Sequence, residues 1–211
     1  MGIHSGLFSK RLRKSAGNLT FSTWRGIPVF KQKATEVANP NSPAQRTARS
    51  IMRKLSQIGS SANFVLRKHL DRQATKMSGF NLFAKINYGA VTGSPTGNAT
   101  VDLTSLKFSQ GSLKGGDNVV VGTASGGALP VTFDAPSVGD VDENDLGTLL
   151  AINDADQLVI TLEDDFAKTA GSASLDISDV ASGTALHLYL YFRNPLNSEM
   201  SPTQYLGMVT A

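Results

Sequence analysis

The second half of the chain alternates apolar and polar positions in short runs, a pattern typical of half-buried β-strands. Turn sequences rich in Gly, Ser, Asn and Asp separate these runs. Seven strands are predicted in this way: VDLTSLKF, NVVVGTAS, LPVTFD, LGTLLAIND, QLVITLED, SASLDIS and ALHLYLYF. In the last run the Leu and Phe side chains are predicted to face one side, and His187, Tyr189 and Tyr191 the other. This count and spacing predict an immunoglobulin- or fibronectin-III-like β-sandwich over 98–211, with a jelly roll as the alternative.

Residues 39–92 follow a period near 3.6 and are predicted to be helical. Ser42 suits an N-cap, Pro43 the first helical position and Gln45 a capping box. The apolar stripe of this first helix is Ala44, Ala48, Ile51, Leu55 and Ile58. After a break at Gly59-Ser60-Ser61, a second helix is predicted with the apolar row Ala62, Leu66, Leu70, Ala74 and Met77. FNLFAKINYGAV predicts a short third helix, and TGSPTGN at 92–98 a linker.

The N-terminal part contains a second β-pattern. Residues 18–33 alternate on both sides of Arg25-Gly26 and predict a β-hairpin. Pro28 lacks a backbone donor, so its strand is predicted to lie at an edge or to pair with a neighbouring molecule. Because an isolated hairpin is marginally stable in water, it should pack on another surface. The predicted fold is therefore α+β, with a basic arm and hairpin at 1–38, helices at 39–92 and a β-sandwich at 98–211.

Charge divides the chain unevenly. The formal net charge is +3, but residues 1–76 hold 15 of the 20 Lys and Arg residues against only Glu36 and Asp71. The rest of the chain holds 5 basic and 15 acidic residues. Such a division favours an anionic partner for the first part or head-to-tail association between copies.

Predicted contact residues share a positive charge and lie in the arm or on the polar faces of two helices. They are Arg11, Arg13, Lys14, Arg46, Arg49, Arg53, Lys54, Arg67, Lys68, Arg72 and Lys76. Contacts of these residues with DNA or RNA would be independent of sequence and weakened by salt. Docking on the acidic sandwich of a neighbouring copy and simple solvation are the alternatives that remain open.

Little in the sequence points to catalysis. Cysteine is absent, which excludes disulfides, thiolate zinc sites and thiol nucleophiles. The histidines are His4, His69 and His187, and no Gly-x-Ser-x-Gly elbow surrounds a serine. His187 is interpreted as a half-exposed strand residue. We therefore predict a protein that is not an enzyme and that has no cofactor and no metal.

One acidic loop resembles the start of a calcium-binding loop. Asp140, Asp142 and Asn144 stand at alternate positions, and Asp154, Asp156 and Asp164 could add oxygen ligands. An EF-hand is excluded, because the sixth position is Asp145 rather than Gly and the twelfth is Ala151 rather than Glu. A looser calcium site remains the alternative to a solvated acidic loop.

Several short motifs resemble one uncharacterised family of small proteins from Bacteroidota and their phages. They are the start MGIHSG, then WRGIPV, NPNSPAQ, KMSGFN and NYGAVTG. The chain departs from that family at SKRLRKSAG, where members usually carry a Gly-rich stretch of weak charge. The resemblance implies no activity, but a phage origin would suit a protein with an immunoglobulin-like domain, no membrane span and no secretory signal.

These patterns predict a non-enzymatic virion structural protein, made in the host cytoplasm and located in the virion. It would assemble with itself and with other virion proteins through its arm and helices, with packaged nucleic acid as a further contact. The mechanism would be burial of the apolar helix stripes and strand addition by the hairpin. Capsid, tail and fibre remain open. The alternatives are a nucleic-acid-binding protein with an accessory sandwich, and a surface adhesion or carbohydrate-binding module.

Overall fold

The computed structural model describes residues 2–3, 14–34, 39–137, 143–153, 158–196 and 199–211. The chain forms two compact units, Met1–Ser42 and Pro43–Ala211. Helices and antiparallel strands occur together, so the predicted α+β class is confirmed.

The N-terminal unit is a four-stranded antiparallel sheet. Its strands are β1 (Gly2–Ile3), β2 (Lys14–Ala16), β3 (Leu19–Trp24) and β4 (Ile27–Gln32), in the order β1-β4-β3-β2. The predicted hairpin is formed by β3 and β4. Arg25 and Gly26 connect them with φ of 45° and 80°, the positive values that a two-residue type I′ turn requires.

The register of this hairpin places apolar residues on both faces of the sheet. Phe21 pairs with Phe30, with ring centroids 6.5 Å apart, whereas Trp24 pairs with Ile27 at the turn. Paired residues share a face and neighbours along a strand alternate, so the two pairs lie on opposite faces. The edge position predicted for Pro28 is wrong, because β4 lies between β1 and β3. Its missing donor removes no hydrogen bond to the described residues of β1, which pair with residues 29 and 30.

Helices begin the second unit. They are α1 (Pro43–Ser61), α2 (Asn63–Val65), a π-helical turn (Leu66–Leu70), α3 (Asp71–Gln73) and α4 (Gly79–Asn87). The helix start at Pro43 is confirmed, but α1 continues through Gly59 to Ser61, and its predicted break there is wrong. Ile51, Leu55 and Ile58 of the apolar stripe are buried, whereas Ala44 and Ala48 are exposed. The first two turns therefore extend beyond the core.

The stretch from α2 to α3, here called the second helical segment, is shorter than predicted. Ala62, Leu66 and Leu70 are buried as expected, but helical structure ends at Gln73 and the next residue is extended. The chain turns there because α4 packs tightly on this segment. A Cβ on Gly79 would lie 2.6 Å from the carbonyl oxygen of Leu66, so only glycine fits.

The predicted linker at 92–98 is wrong. The strands β5 (Val91–Thr92) and β6 (Thr100–Val101) pair with each other, and the loop between them packs on α1. The amide of Ser94 donates to Ser50 Oγ at 3.0 Å, and a Cβ on Gly93 would lie 2.6 Å from Ile51 Cγ1. Residues 92–98 thus belong to the helical layer.

Seven further strands form two sheets. They are β7 (Val120–Val121), β8 (Ala128–Thr132), β9 (Leu146–Asn153), β10 (Leu158–Ala167), β11 (Ser172–Asp176), β12 (Ala185–Arg193) and β13 (Gln204–Thr210). The sheet orders are β10-β9-β12-β13 and β11-β8-β7. VDLTSLKF is not a strand of either sheet, because only its first residue is in β6 and a 3-10 turn follows at Leu103–Ser105. The last strand, β13, was not predicted.

Strand β12 lies at the centre of the second unit and is buried on both faces. Leu186, Leu188, Leu190 and Phe192 share a core with residues of β8, β9 and β11, between the two sheets. Tyr189 and Tyr191 share a different core with α1, the second helical segment and α4. The predicted division of these side chains between two faces is confirmed. The helices therefore cover the outer face of the four-stranded sheet.

Candidate nucleic-acid or intersubunit contact surface

Three arginines form a row along the exposed face of α1. Arg46, Arg49 and Arg53 are all exposed, and Ile51 and Leu55 are buried on the opposite side. The spacing of three and four residues keeps the row on one face, with a rise of about 10 Å from first to last. α1 contains no acidic residue. We call this feature the arginine row; its role in contacts stays a prediction.

A cleft adjoins the C-terminal end of the arginine row. It has a volume of about 370 Å³ and lies between α1 and the loop that connects β5 to β6. Its lining residues are mostly polar or basic: Ser50, Arg53, Lys54, Gln57, Gly97, Asn98 and Ala99. We call it the α1 cleft. It brings two predicted contact residues, Arg53 and Lys54, together with polar groups from a loop that the sequence did not implicate.

The loop wall of the α1 cleft is held in place by hydrogen bonds. Ser50 is buried, and its hydroxyl donates to the carbonyl of Thr47 at 2.7 Å and accepts from the amide of Ser94. The amide of Gly97 in turn donates to the carbonyl of Ser94 at 3.1 Å. Both walls therefore belong to one packed layer.

The remaining predicted contact residues are more dispersed. In the second helical segment Arg67 and Arg72 are exposed and Lys68 is half-buried. Lys76 lies beyond the helix end with a φ of 57°, so the predicted helical row of Lys68, Arg72 and Lys76 is wrong. Lys14 is exposed in β2 of the other unit. Arg11 and Arg13 lie outside the described residues.

Two histidine-tyrosine pairs were not predicted. His69 is fully buried, and its Nδ1 lies 2.5 Å from the hydroxyl of Tyr191 on β12. His187 is half-buried, as predicted for a strand residue, and its Nδ1 lies 2.8 Å from the hydroxyl of Tyr205. The first pair connects the second helical segment to the central strand. The alternation of ALHLYLYF was the available signal, since it turns Tyr191 towards the helices.

Buried charged residues, which no sequence pattern predicted, lie near one end of the sheets. Asp145, Lys168 and Arg193 are all buried. The ammonium of Lys168 donates to the carbonyl of Lys114 at 3.0 Å and lies 5.1 Å from the ring centroid of Phe192. For Lys168 the burial of charge is compensated by this hydrogen bond and by the aromatic face.

The proposed calcium ligands lie mainly outside the described part of the chain. This holds for Asp140, Asp142, Asp154 and Asp156 and for the side chain of Asp164, whereas Asn144 is exposed. Among the described residues, no group of three or more His, Cys, Asp or Glu side chains could hold a metal ion. The calcium site stays a prediction.

Two carboxylates of the acidic part are stabilised in their ionised form. Hydroxyl groups of Thr104 and Ser105 donate to Asp102, both at 2.7 Å, and lower its pKa below the ordinary value. The amide of Ser178 donates to Asp176 at 2.9 Å and lowers the pKa of that carboxylate as well. Both shifts favour negative charge on the β-rich part.

A family model described as a family of unknown function, DUF6266, matches residues 10–207. The chain belongs to this family. The DUF6266 match extends over both compact units, since it begins at residue 10 of the first and ends at residue 207 of the second. It agrees with the resemblance to an uncharacterised family, whereas an origin in Bacteroidota or their phages stays a prediction. No curated protein matches the chain.

Three of the motifs that resemble the uncharacterised family contain residues with a structural role in this DUF6266 member: a turn residue, a helix start and a tightly packed glycine. WRGIPV contains the type I′ turn at Gly26, and NPNSPAQ starts α1 at Pro43. KMSGFN contains Gly79, which touches the second helical segment. Within the described part of this DUF6266 chain, no helix is both long and apolar enough to span a membrane.

Proposed function

We propose that the chain is a non-enzymatic structural protein that assembles with copies of itself in a virion. The observation that carries this proposal is that the described side chains of the N-terminal sheet form no buried interior. Every described side chain from Lys14 to Lys33 is exposed or half-buried. Both hydrophobic cores of the described chain consist of residues from the second unit.

Apolar side chains on this sheet provide the means of association. Trp24 is 47% exposed and Leu19 is 39% exposed. Ile27, Val29 and Phe30 are half-buried. Burial of such groups against another copy would gain about 25 cal/mol per Å² of apolar surface. A sheet with two apolar faces can contact more than one neighbour, as a shell or a fibre requires.

The division of charge supports association between copies. Residues 1–76 are strongly basic and the remainder is acidic, so the first part of one copy complements the second part of another. A phage particle is the proposed setting because the motifs resemble proteins of Bacteroidota phages. Capsid, tail and fibre proteins all fit this proposal.

For the β-rich part we propose an immunoglobulin- or fibronectin-III-like sandwich. If β7 to β13 are lettered A to G, the three-stranded sheet has the order E-B-A and the four-stranded sheet D-C-F-G. The immunoglobulin arrangement likewise groups A, B and E apart from C, F and G. A jelly roll would need eight strands, and the two described sheets contain seven.

The assembly proposal is tested by size-exclusion chromatography with light scattering and by negative-stain microscopy of the full chain. Phe21→Lys and Trp24→Lys each place a charge on one face of the N-terminal sheet. We expect the wild type to form oligomers or particles and at least one variant to remain monomeric. Leu196→Lys is the matched control, since Leu196 is 86% exposed and lies outside this sheet. A folded wild type that stays monomeric at high concentration would contradict the proposal.

A nucleic-acid-binding protein with an accessory sandwich is the second candidate function. The arginine row favours it, because three exposed guanidinium groups lie along one helix face. Tight, salt-sensitive binding of DNA by monomers that form no particles would favour this candidate over assembly.

A further inference from the structure

We propose that the α1 cleft binds one phosphate of a DNA or RNA backbone, and that the strand continues along Arg49 and Arg46. The inference rests on the nucleic-acid contact named above and specifies its site. It is independent of assembly through the N-terminal sheet.

The lining of the α1 cleft suits an anion. Arg53 and Lys54 supply two positive charges, and Gln57 and Asn98 supply amide donors. From Pro43 to Val101 the only acidic residue is Asp71, whose carboxylate accepts from the amide of Gly79. A bound anion would therefore meet the positive charge of Arg53 and Lys54 on the α1 wall and the amide donor of Asn98 on the loop wall.

The shape of the cleft favours a phosphate over an apolar ligand. Its volume of about 370 Å³ accommodates a phosphate with part of the adjoining sugar. Among the described residues that line it, Ala99 is the only one with an apolar side chain, and none of them carries an aromatic ring that could stack on a base. Contacts would therefore be with the backbone alone and would not select a base sequence.

The arginine row gives the direction of the strand. The rise of about 10 Å from Arg46 to Arg53 corresponds to about three steps between successive phosphates of one strand of a duplex, each rising about 3.4 Å. A polynucleotide anchored in the cleft can therefore meet the next two arginines in turn. Guanidinium groups also bind phosphate oxygens in a bidentate manner.

The cleft is preformed rather than assembled by the ligand. Ser50 is buried and bonds to the loop, and Gly93 packs against Thr47 and Ile51 of α1. Both walls are thus fixed before binding, which lowers the entropic cost of ordering them around a ligand.

The test is fluorescence anisotropy of the full-length protein with a labelled duplex DNA at salt concentrations from about 50 to 200 mM. We expect Arg53→Gln to weaken binding about fivefold to tenfold near 0.1 M salt and to reduce the slope of log K against log salt by about 0.9. Asn98→Leu keeps the net charge but removes an amide donor, and we expect a loss of about threefold to tenfold. Lys85→Gln is the matched control, because it removes one exposed charge from α4 and should change affinity less than about twofold.

The outcomes distinguish a phosphate site in the α1 cleft from nucleic-acid binding elsewhere on the contact surface. Variants are compared only where circular dichroism and thermal unfolding match the wild type. If Arg46→Gln weakens binding but Arg53→Gln and Asn98→Leu do not, the cleft is not a phosphate site. The nucleic-acid contact of the arginine row would still be supported. If the wild type does not bind DNA at low salt, both proposals fail. Polyglutamate that competes as well as DNA of equal charge would overturn the phosphate assignment, because it would show that the surface binds carboxylates equally well.

Discussion

At the scale of single residues, the hydrogen bond between His69 and Tyr191 links the helices to the β-sheet. Both side chains are fully buried, and His69 Nδ1 lies 2.5 Å from the tyrosine hydroxyl. A buried polar group that loses a hydrogen-bond partner costs about 1–3 kcal/mol. This pair therefore contributes to the cohesion of the second unit.

We expect Tyr191→Phe to lower the free energy of unfolding by about 1–3 kcal/mol, measured by urea denaturation. The matched control is Tyr205→Phe, which removes a similar hydrogen bond to the half-buried His187. Water can replace that bond more easily, so its loss should be smaller. If the two substitutions lowered the free energy of unfolding equally, the buried hydrogen bond would contribute no more to stability than the half-buried one.

The contact residues differ in how far the sequence could predict them. The helical period alone placed Arg46, Arg49 and Arg53 on the exposed face of α1, because a helix with a buried stripe must turn its opposite face outward. The α1 cleft could not be predicted in this way. It depends on Asn98 in a loop whose Gly, Ser and Pro content indicated a linker, and only the tertiary packing of Gly93 on α1 brings that loop to the helix.

At the scale of elements, the close approach of α4 to the second helical segment explains where that segment ends. Gly79 begins α4, and its amide donates to the carboxylate of Asp71. Ser78 caps α4 by accepting from the amide of Asn81 at 3.2 Å. These local bonds stop the preceding helix, although the apolar period continues to Met77.

We expect Gly79→Ala to destabilise the protein by about 1–3 kcal/mol, because its Cβ would overlap backbone atoms of Leu66 and Asp71. Gly89→Ala is the matched control, since a Cβ there has no atom within 4 Å. It should be neutral or stabilise the fold by up to about 1 kcal/mol. Thermal and urea unfolding measure both effects, and a tolerated Gly79→Ala would contradict the packing argument.

Among the strands, too, some features follow from the local sequence pattern and others depend on tertiary packing. The alternation of ALHLYLYF predicted both faces of β12, because each face is covered by a different layer. The predicted strand VDLTSLKF is interrupted by the three-residue 3-10 turn Leu103–Ser105, because Asp102 accepts from the amide of Thr104 and caps it. β13 was missed because it is an edge strand with mostly half-buried residues and a Gly207 at a φ of 110°. Its pairing with β12 is set by tertiary structure.

At the scale of the whole molecule, contacts divide the chain once, after Ser42. From Pro43 on, helices and sheets share their cores, because the outer face of the four-stranded sheet is apolar at Tyr189 and Tyr191 and needs a cover. The amino-acid composition changes near residue 98, but this change marks the passage from the helical layer to the β-sheets within one unit. A boundary between units depends on burial, which composition does not report.

The only tryptophan, Trp24, gives a separate probe of the N-terminal unit. In dilute solution we expect tryptophan fluorescence to report unfolding at a lower urea concentration than far-ultraviolet circular dichroism. The reason is that the described residues of the N-terminal sheet form no core, whereas those of the second unit form two. As the protein concentration rises, assembly would bury Trp24, shift its emission to the blue and raise its unfolding midpoint by mass action. The variant Trp24→Phe is the control that assigns the signal. Coincident transitions that do not depend on protein concentration would show that the sheet is stabilised without a partner, and would remove the main support for assembly through it.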